Sequence, residues 1–197
     1  MNRTQVSQPD DRRTTEIRPA GPADLPALGD FFAGLSVQTR YLRFFGPAAP
    51  TPGLLRLLSG QDAGVHAVVA VAGGVIVGHA MASDRPEPKD APGSGQTWTA
   101  DVGVVVADAW QGRGVGSALM RALAAQASAR GVTSLAMDLL HVNRQVLAMI
   151  LGHWPDACTD RSRDSLGIGI QLSRCQPGRP PAPPAARRVR ALVPVGR

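Results

Sequence analysis

The run Asp101-Val102-Gly103-Val104-Val105-Val106-Ala107-Asp108-Ala109-Trp110-Gln111-Gly112-Arg113-Gly114-Val115-Gly116-Ser117 decides how this chain folds. Val102 to Val106 is nearly all valine, the composition of a central strand covered on both faces, and the whole strand reads as Thr97 to Val106. Beyond Gly114 a helix is predicted, because Val115, Leu119, Leu123 and Ala127 recur every four residues and Gly131 stops the pattern. A glycine-rich turn joins the two. The first amides of a helix lack partners within it and lie at the positive end of its dipole, so an anion can bind there on backbone alone. Gly112, Gly114 and Gly116 remove Cβ atoms that would block the approach. This arrangement predicts a diphosphate site.

Two familiar glycine loops do not fit. A dinucleotide fingerprint requires a third glycine at position 117, which is Ser, and a later acidic strand end that is missing. A triphosphate loop requires Gly-Lys-Ser or Gly-Lys-Thr, which is absent. A turn without any ligand is the remaining alternative.

Upstream, Thr15 to Arg18 reads as a short strand, and Pro22 to Ala33 as a helix with Pro26 inside its first turn. Ser36 to Phe45 and Leu54 to Leu58 read as two short helices. Val65 to Val71 and Val75 to Ala82 are β-branched runs joined at Gly73-Gly74, a hairpin signal. The Pro- and Gly-rich stretch Ser83 to Gln96 is a candidate rim of an active site. Downstream, Val132 to Leu140 is a strand, Asn143 to Leu151 a helix and Ile168 to Leu172 a last strand. The expected fold is a mixed sheet with helices on its faces.

With 197 residues and 44% apolar content the chain can bury one substantial core. Its formal charge of +6 could suggest a nucleic-acid partner, but six arginines and no acid lie from Arg174 onward, so the other 173 residues are formally neutral. The excess belongs to a Pro- and Arg-rich tail, read as disordered over 175–197, and no nucleic-acid partner is expected. Residues 1–13 read as a disordered leader, leaving 14–174 as the domain. Cys158 and Cys175 have no metal-ligand spacing, so no metal is expected. No run approaches about 18 apolar residues, so a soluble, cytoplasmic monomer or homodimer without membrane contact is expected.

Gln111, Gly114 and Gly116 meet the pattern Gln/Arg-x-x-Gly-x-Gly/Ala, which resembles the diphosphate motif of the GNAT superfamily of acyl-CoA N-acyltransferases. The likeness extends from about Glu16 to Leu172. Thr39-Arg40-Tyr41-Leu42-Arg43-Phe44-Phe45-Gly46, Val104 to Trp110, and Asn143-Arg144 resemble its bacterial protein-lysine acetyltransferase branch. The resemblance implies a mixed, mostly antiparallel sheet with a splayed parallel strand pair. It implies acetyl-CoA as acyl donor, its diphosphate held around Gln111, Gly112, Arg113, Gly114, Gly116 and Ser117. The pantetheine arm would lie along Val104, Val105 and Val106. Asn143 would contact that arm, although it also suits a helix N-cap.

A lysine amine has a free pKa of ~10.4 and must lose a proton before attacking a thioester. Ten residues before Gln111 stands Asp101, where the resembling enzymes carry a glutamate general base. Strand alternation puts Asp101 on one face with Gly103 and Val105, and apolar surroundings there would raise its pKa. Asp is one methylene shorter than Glu, so a water could complete the relay. A backbone N–H near Val104 or Val105 could bind the oxyanion, as the resemblance implies. Relatives often protonate the thiolate with a tyrosine on the helix Asn143 to Leu151, which has none here. His79 and His141 could face the acceptor groove, and Arg40, Tyr41 and Arg43 could shape it, although Tyr41, Phe44 and Phe45 also suit helix packing. The acceptor reads as a protein lysine, with a small amine or a non-catalytic acyl-CoA sensor as alternatives.

Overall fold

The computed structural model describes residues 15–47, 50–85 and 98–172. Seven strands form one sheet in the order β1-β2-β3-β4-β5-β7-β6. They are β1 (Glu16–Pro19), β2 (Val65–Ala72), β3 (Val75–Arg85), β4 (Thr99–Val106), β5 (Ser134–Leu140), β6 (Cys158–Arg161) and β7 (Ser165–Gln171). Every neighbouring pair is antiparallel except β4 and β5. Among the described residues five α-helices accompany the sheet: α1 (Leu25–Gly34), α2 (Val37–Phe44), α3 (Pro52–Leu58), α4 (Val115–Ala129) and α5 (Arg144–His153).

Alternation along the strands builds two cores. One face of the sheet meets α4 and α5, where Val68, Ala80, Ala100, Leu135 and Ile168 pack with Leu119, Leu123 and Ile150. The other meets α1 and α3, where Val69, Met81 and Val105 pack with Leu28, Phe32 and Leu58. Burying each such side chain contributes about 1.5–3 kcal/mol. Gly78 lets α4 lie close, since a Cβ there would stand 2.9 Å from Leu119 Cδ1. Gly73 and Gly74 turn the β2–β3 hairpin at φ of 58° and 80°, the left-handed pair a two-residue hairpin requires.

Several boundaries differ from those expected. The helix predicted from Pro22 begins as a 3-10 turn at Pro22–Asp24, and α1 starts at Leu25 with Pro26 in its first turn. Strand β3 runs on to Arg85 instead of yielding to a loop at Ser83, because its ladder with β4 continues to the pair Arg85 and Thr99. Strand β6 was not expected. Its burial pattern is almost wholly exposed, so it lacks the hydrophobic alternation that marks a strand, and pairing with β7 creates it. The leader, the tail with Cys175, residues 86–96 of the predicted rim and Thr97 of the predicted strand lie outside the described residues. None of the described helices is long and apolar enough to cross a membrane.

Candidate active site

The parallel pair β4 and β5 is hydrogen-bonded only from Thr99 to Asp101 and from Ser134 to Ala136. Beyond these residues β4 continues to Val106 and β5 to Leu140, so the strands part and leave one edge of β4 free. A cavity of about 280 Å³ opens there. Val104, Val105, Val106, Gln111, Gly112, Gly114, Gly116, Ser117 and Asn143, all expected in a cofactor site, line it together. Arg113 stands outside the lining, its guanidinium 5.4 Å from the Trp110 ring centroid. Among those expected only as possible acceptor-site residues, Arg43 also lines the cavity.

The three loop glycines have two different reasons. Gly112 and Gly114 adopt φ of 71° and 81°, a conformation costly for other residues, and Gly114 is the N-cap of α4. A Cβ on either would meet nothing within 4 Å, so the space in front of the helix is open. Gly116 is inside the helix, and its Cβ would press on Met149 Sδ at 3.1 Å. It therefore serves the packing of α4 on α5, whereas the sequence suggested only access for an anion.

A polar network ties α2 to this loop. Ser36 caps α2 by accepting from the Thr39 N–H at 3.1 Å. Its hydroxyl and that of Thr39 both donate to Asp108 Oδ1 at 2.7 Å. Burial raises the Asp108 carboxyl, but hydrogen bonds from Ser36 and Thr39 outweigh it and hold the net value below the ordinary range. Gln111 Nε2 donates to Thr39 Oγ1 at 3.2 Å and to the Val106 carbonyl at 3.1 Å. The Gln111 side chain thus braces the loop. Asn143 lines the cavity, and its Oδ1 accepts from the Val146 N–H at 3.3 Å as the expected cap of α5.

Asp101 is not in apolar surroundings. Its side chain is 53% exposed and forms an ion pair with Arg85, which the extension of β3 brings beside it. The expected desolvation fails because Asp101 stands near the outer end of the β3–β4 ladder, close to Trp98, which is itself exposed. Sequence reasoning missed a second carboxylate, Asp138. Ala136 is level with Asp101 across the parallel pair, and Asp138 is two residues further along β5, hence on the same face. Burial pushes its carboxyl up, Asp101 adds to this, and Arg85 opposes it. The pattern Leu135, Met137 and Leu139 buried with Ala136 and Asp138 opposite was the available signal.

His79 is not at the groove. It is fully buried against Phe32, with Nε2 donating to the Leu58 carbonyl at 2.7 Å. Burial lowers its pKa to about 3, so the ring is neutral and structural. His141 contacts the Ser162 carbonyl at 3.0 Å on the exposed side of the β6–β7 turn. Tyr41, expected to pack, is 43% exposed, while Phe44 stacks on Phe32 and Phe45 ends α2 at a φ of 59°.

A sheet opened between two parallel strands, with a glycine-framed helix N-terminus at the cleft, defines a fold that holds an extended donor with an anionic end. The Acetyltransferase (GNAT) family model matches residues 36–152, and the chain belongs to that family. The GNAT domain of PAT from S. lividans superposes with a TM-score of 0.70 at 24% identity, over 80% of this chain and 90% of that one. A phosphinothricin acetyltransferase from Sinorhizobium meliloti, in complex with acetyl-CoA, gives 0.65 at 17% identity, over 85% and 94%. The protein yncA from Salmonella typhimurium, with its cofactor acetyl-CoA, gives 0.64 at 18%, over 82% and 95%.

Proposed function

We propose that this chain is an N-acetyltransferase that moves the acetyl group of acetyl-CoA directly onto the side-chain amine of a protein lysine. The observation that carries this reading is the cleft between β4 and β5, with the glycine-framed N-terminus of α4 at one end and the carboxylates of Asp101 and Asp138 near the other. Family membership and the acetyl-CoA held by the S. meliloti and S. typhimurium proteins support the donor.

In this mechanism the backbone amides of the loop from Gly112 to Ser117, Arg113 included, receive the diphosphate, and Gln111 braces that loop. The free edge of β4 at Val104 to Val106 pairs with the pantetheine amides, and Asn143 flanks them. The amine gives a proton to Asp101, through water if needed, and attacks the thioester carbon. The C–S bond then breaks, its electrons leave on sulfur, and water protonates the thiolate, since α5 carries no tyrosine.

The sequence Thr39 to Gly46 and the likeness to the S. lividans PAT domain favour a protein lysine. The likeness to a phosphinothricin acetyltransferase supports a small amine as second reading. Labelled acetyl-CoA offered with lysate protein and with an amine panel separates them. Label on protein lysines is expected, and label on small amines alone would exclude the first reading.

A further inference from the structure

Arg43 stands one helical turn beyond Thr39 on α2, so both side chains face β4. Thr39 is fastened at the loop end of that strand, which carries Arg43 to the opposite end of the groove, over Gly103. A Cβ at position 103 would overlap the guanidinium carbon and both terminal nitrogens. The missing side chain is therefore a seat for Arg43, placed where β4 has just left β5.

Among the described residues this cation has no counter-ion. Its Nε is sealed from solvent without a hydrogen-bond partner, and among the described residues the guanidinium makes no hydrogen bond or ion pair. The Phe44 ring lies 5.1 Å from its Cζ and stabilises it. The carboxylates closest to Gly103 along β4 are committed elsewhere, Asp101 to Arg85 and Asp108 to Ser36 and Thr39. Burial lowers the Arg43 pKa to about 10, which still leaves it charged at neutral pH. An unpaired, desolvated charge is costly in a folded protein unless a ligand supplies the opposite charge. Arg43 lines the donor groove.

The diphosphate has its own site at Gly112 and Gly114, so the anion Arg43 awaits belongs to the other end of the donor. We propose that Arg43 donates a hydrogen bond to the carbonyl oxygen of the acyl thioester and stabilises the alkoxide it becomes when the amine adds. In that step the nitrogen lone pair forms the new C–N bond while the C=O π pair moves onto oxygen beside Arg43. On collapse the pair returns, the C–S bond breaks with its electrons on sulfur, and the adduct nitrogen loses its extra proton to water, Asp101 having taken the first before the attack. The charge on oxygen is largest in the transition state, so the cation acts on turnover more than on donor affinity. This inference rests on the acyltransferase reading of the same groove.

The test compares wild type with Arg43→Met, which keeps most of the buried volume, and Arg43→Lys, which keeps the charge. The measurements are CoA affinity by calorimetry, turnover with saturating amine, and the infrared carbonyl stretch of bound ¹³C-labelled acetyl-CoA. For Arg43→Met we expect CoA affinity within threefold of wild type, turnover about 100-fold lower, and a carbonyl stretch returned to its solution frequency. Arg43→Lys should lie between. Unchanged turnover, equal losses in CoA affinity and turnover, or an unshifted carbonyl in wild type would each overturn the proposal. So would a wild-type preference for succinyl-CoA that Arg43→Met abolishes, which would make Arg43 a reader of acyl carboxylates. If wild type acetylates no amine yet shows a carbonyl shift that Arg43→Met removes, the transfer reading fails and the Arg43 contact stands. Should Arg43→Met not fold, as shown by circular dichroism and thermal melting, the Arg43→Lys turnover and carbonyl shift decide.

Discussion

The two ends of the groove are built by different means. At the loop end, consecutive residues suffice: two left-handed glycines and the first turn of α4 present backbone amides to open space. Toward the acyl end proposed for it, α2 sets Arg43 on the groove, while β3, β4 and β5 bring Arg85, Asp101 and Asp138 together just outside its lining, from positions almost a hundred residues apart. Affinity for an anion needs only oriented backbone dipoles, whereas moving protons and charge needs side chains whose ionisation is set by neighbours. The first task is local in sequence and the second is not.

The largest expected effect strikes the loop alone. Gly114→Val puts a branched Cβ at a φ of 81° and into the anion's path, and CoA affinity measured by calorimetry should fall at least about 100-fold. Retained affinity would break the comparison at its stronger end. At the other end, Asp101→Ala should leave CoA affinity within threefold while turnover falls by about 100-fold. Asp138→Asn should cost about tenfold in turnover, since it removes a neighbouring charge and leaves Asp101 in place. Unchanged turnover in Asp101→Ala would move the base elsewhere.

The helical layer behind the acyl end should respond to acid. His79 is held neutral with a folded pKa of about 3 against an ordinary 6.5, so the unfolded chain binds a proton that the fold refuses. Stability is therefore lost as pH falls from about 6.5 toward 3, with a slope approaching ~1.4 kcal/mol per pH unit from this group. His66 is lowered as well, by burial first, so the diagnostic is the difference between wild type and His79→Gln in melting experiments from pH 7 to 4.5. The variant should show the flatter profile. The smallest effect concerns the link between the two ends. Ser36→Ala removes the cap of α2 and one bond to Asp108, and should cost about 1 kcal/mol in denaturant unfolding with a few-fold loss of turnover.

How much could be read in advance follows the same division. The valine strand, the four-residue repeat of α4 and the hairpin glycines carried their elements in plain periodicity. Strand β6 did not, since Cys158 to Arg161 has no apolar face and is a strand by virtue of pairing. Asp101 was singled out through the family resemblance, ten residues before Gln111, but its exposure and its Arg85 partner depend on how far the β3–β4 ladder runs. Arg43 was noticed within a family-like stretch, and nothing local revealed that Gly103 is its seat.

What the amino-acid order determined by itself is most of the sheet, the helix behind it and the glycine turn between them, because dihedral preferences and hydrophobic periods act over a few residues. Which carboxylates and cations meet at the acyl end was decided only when β4 parted from β5 and α2 was fastened to the loop through Asp108. Charge interactions depend on distance and burial in space, and those are properties of the packed molecule.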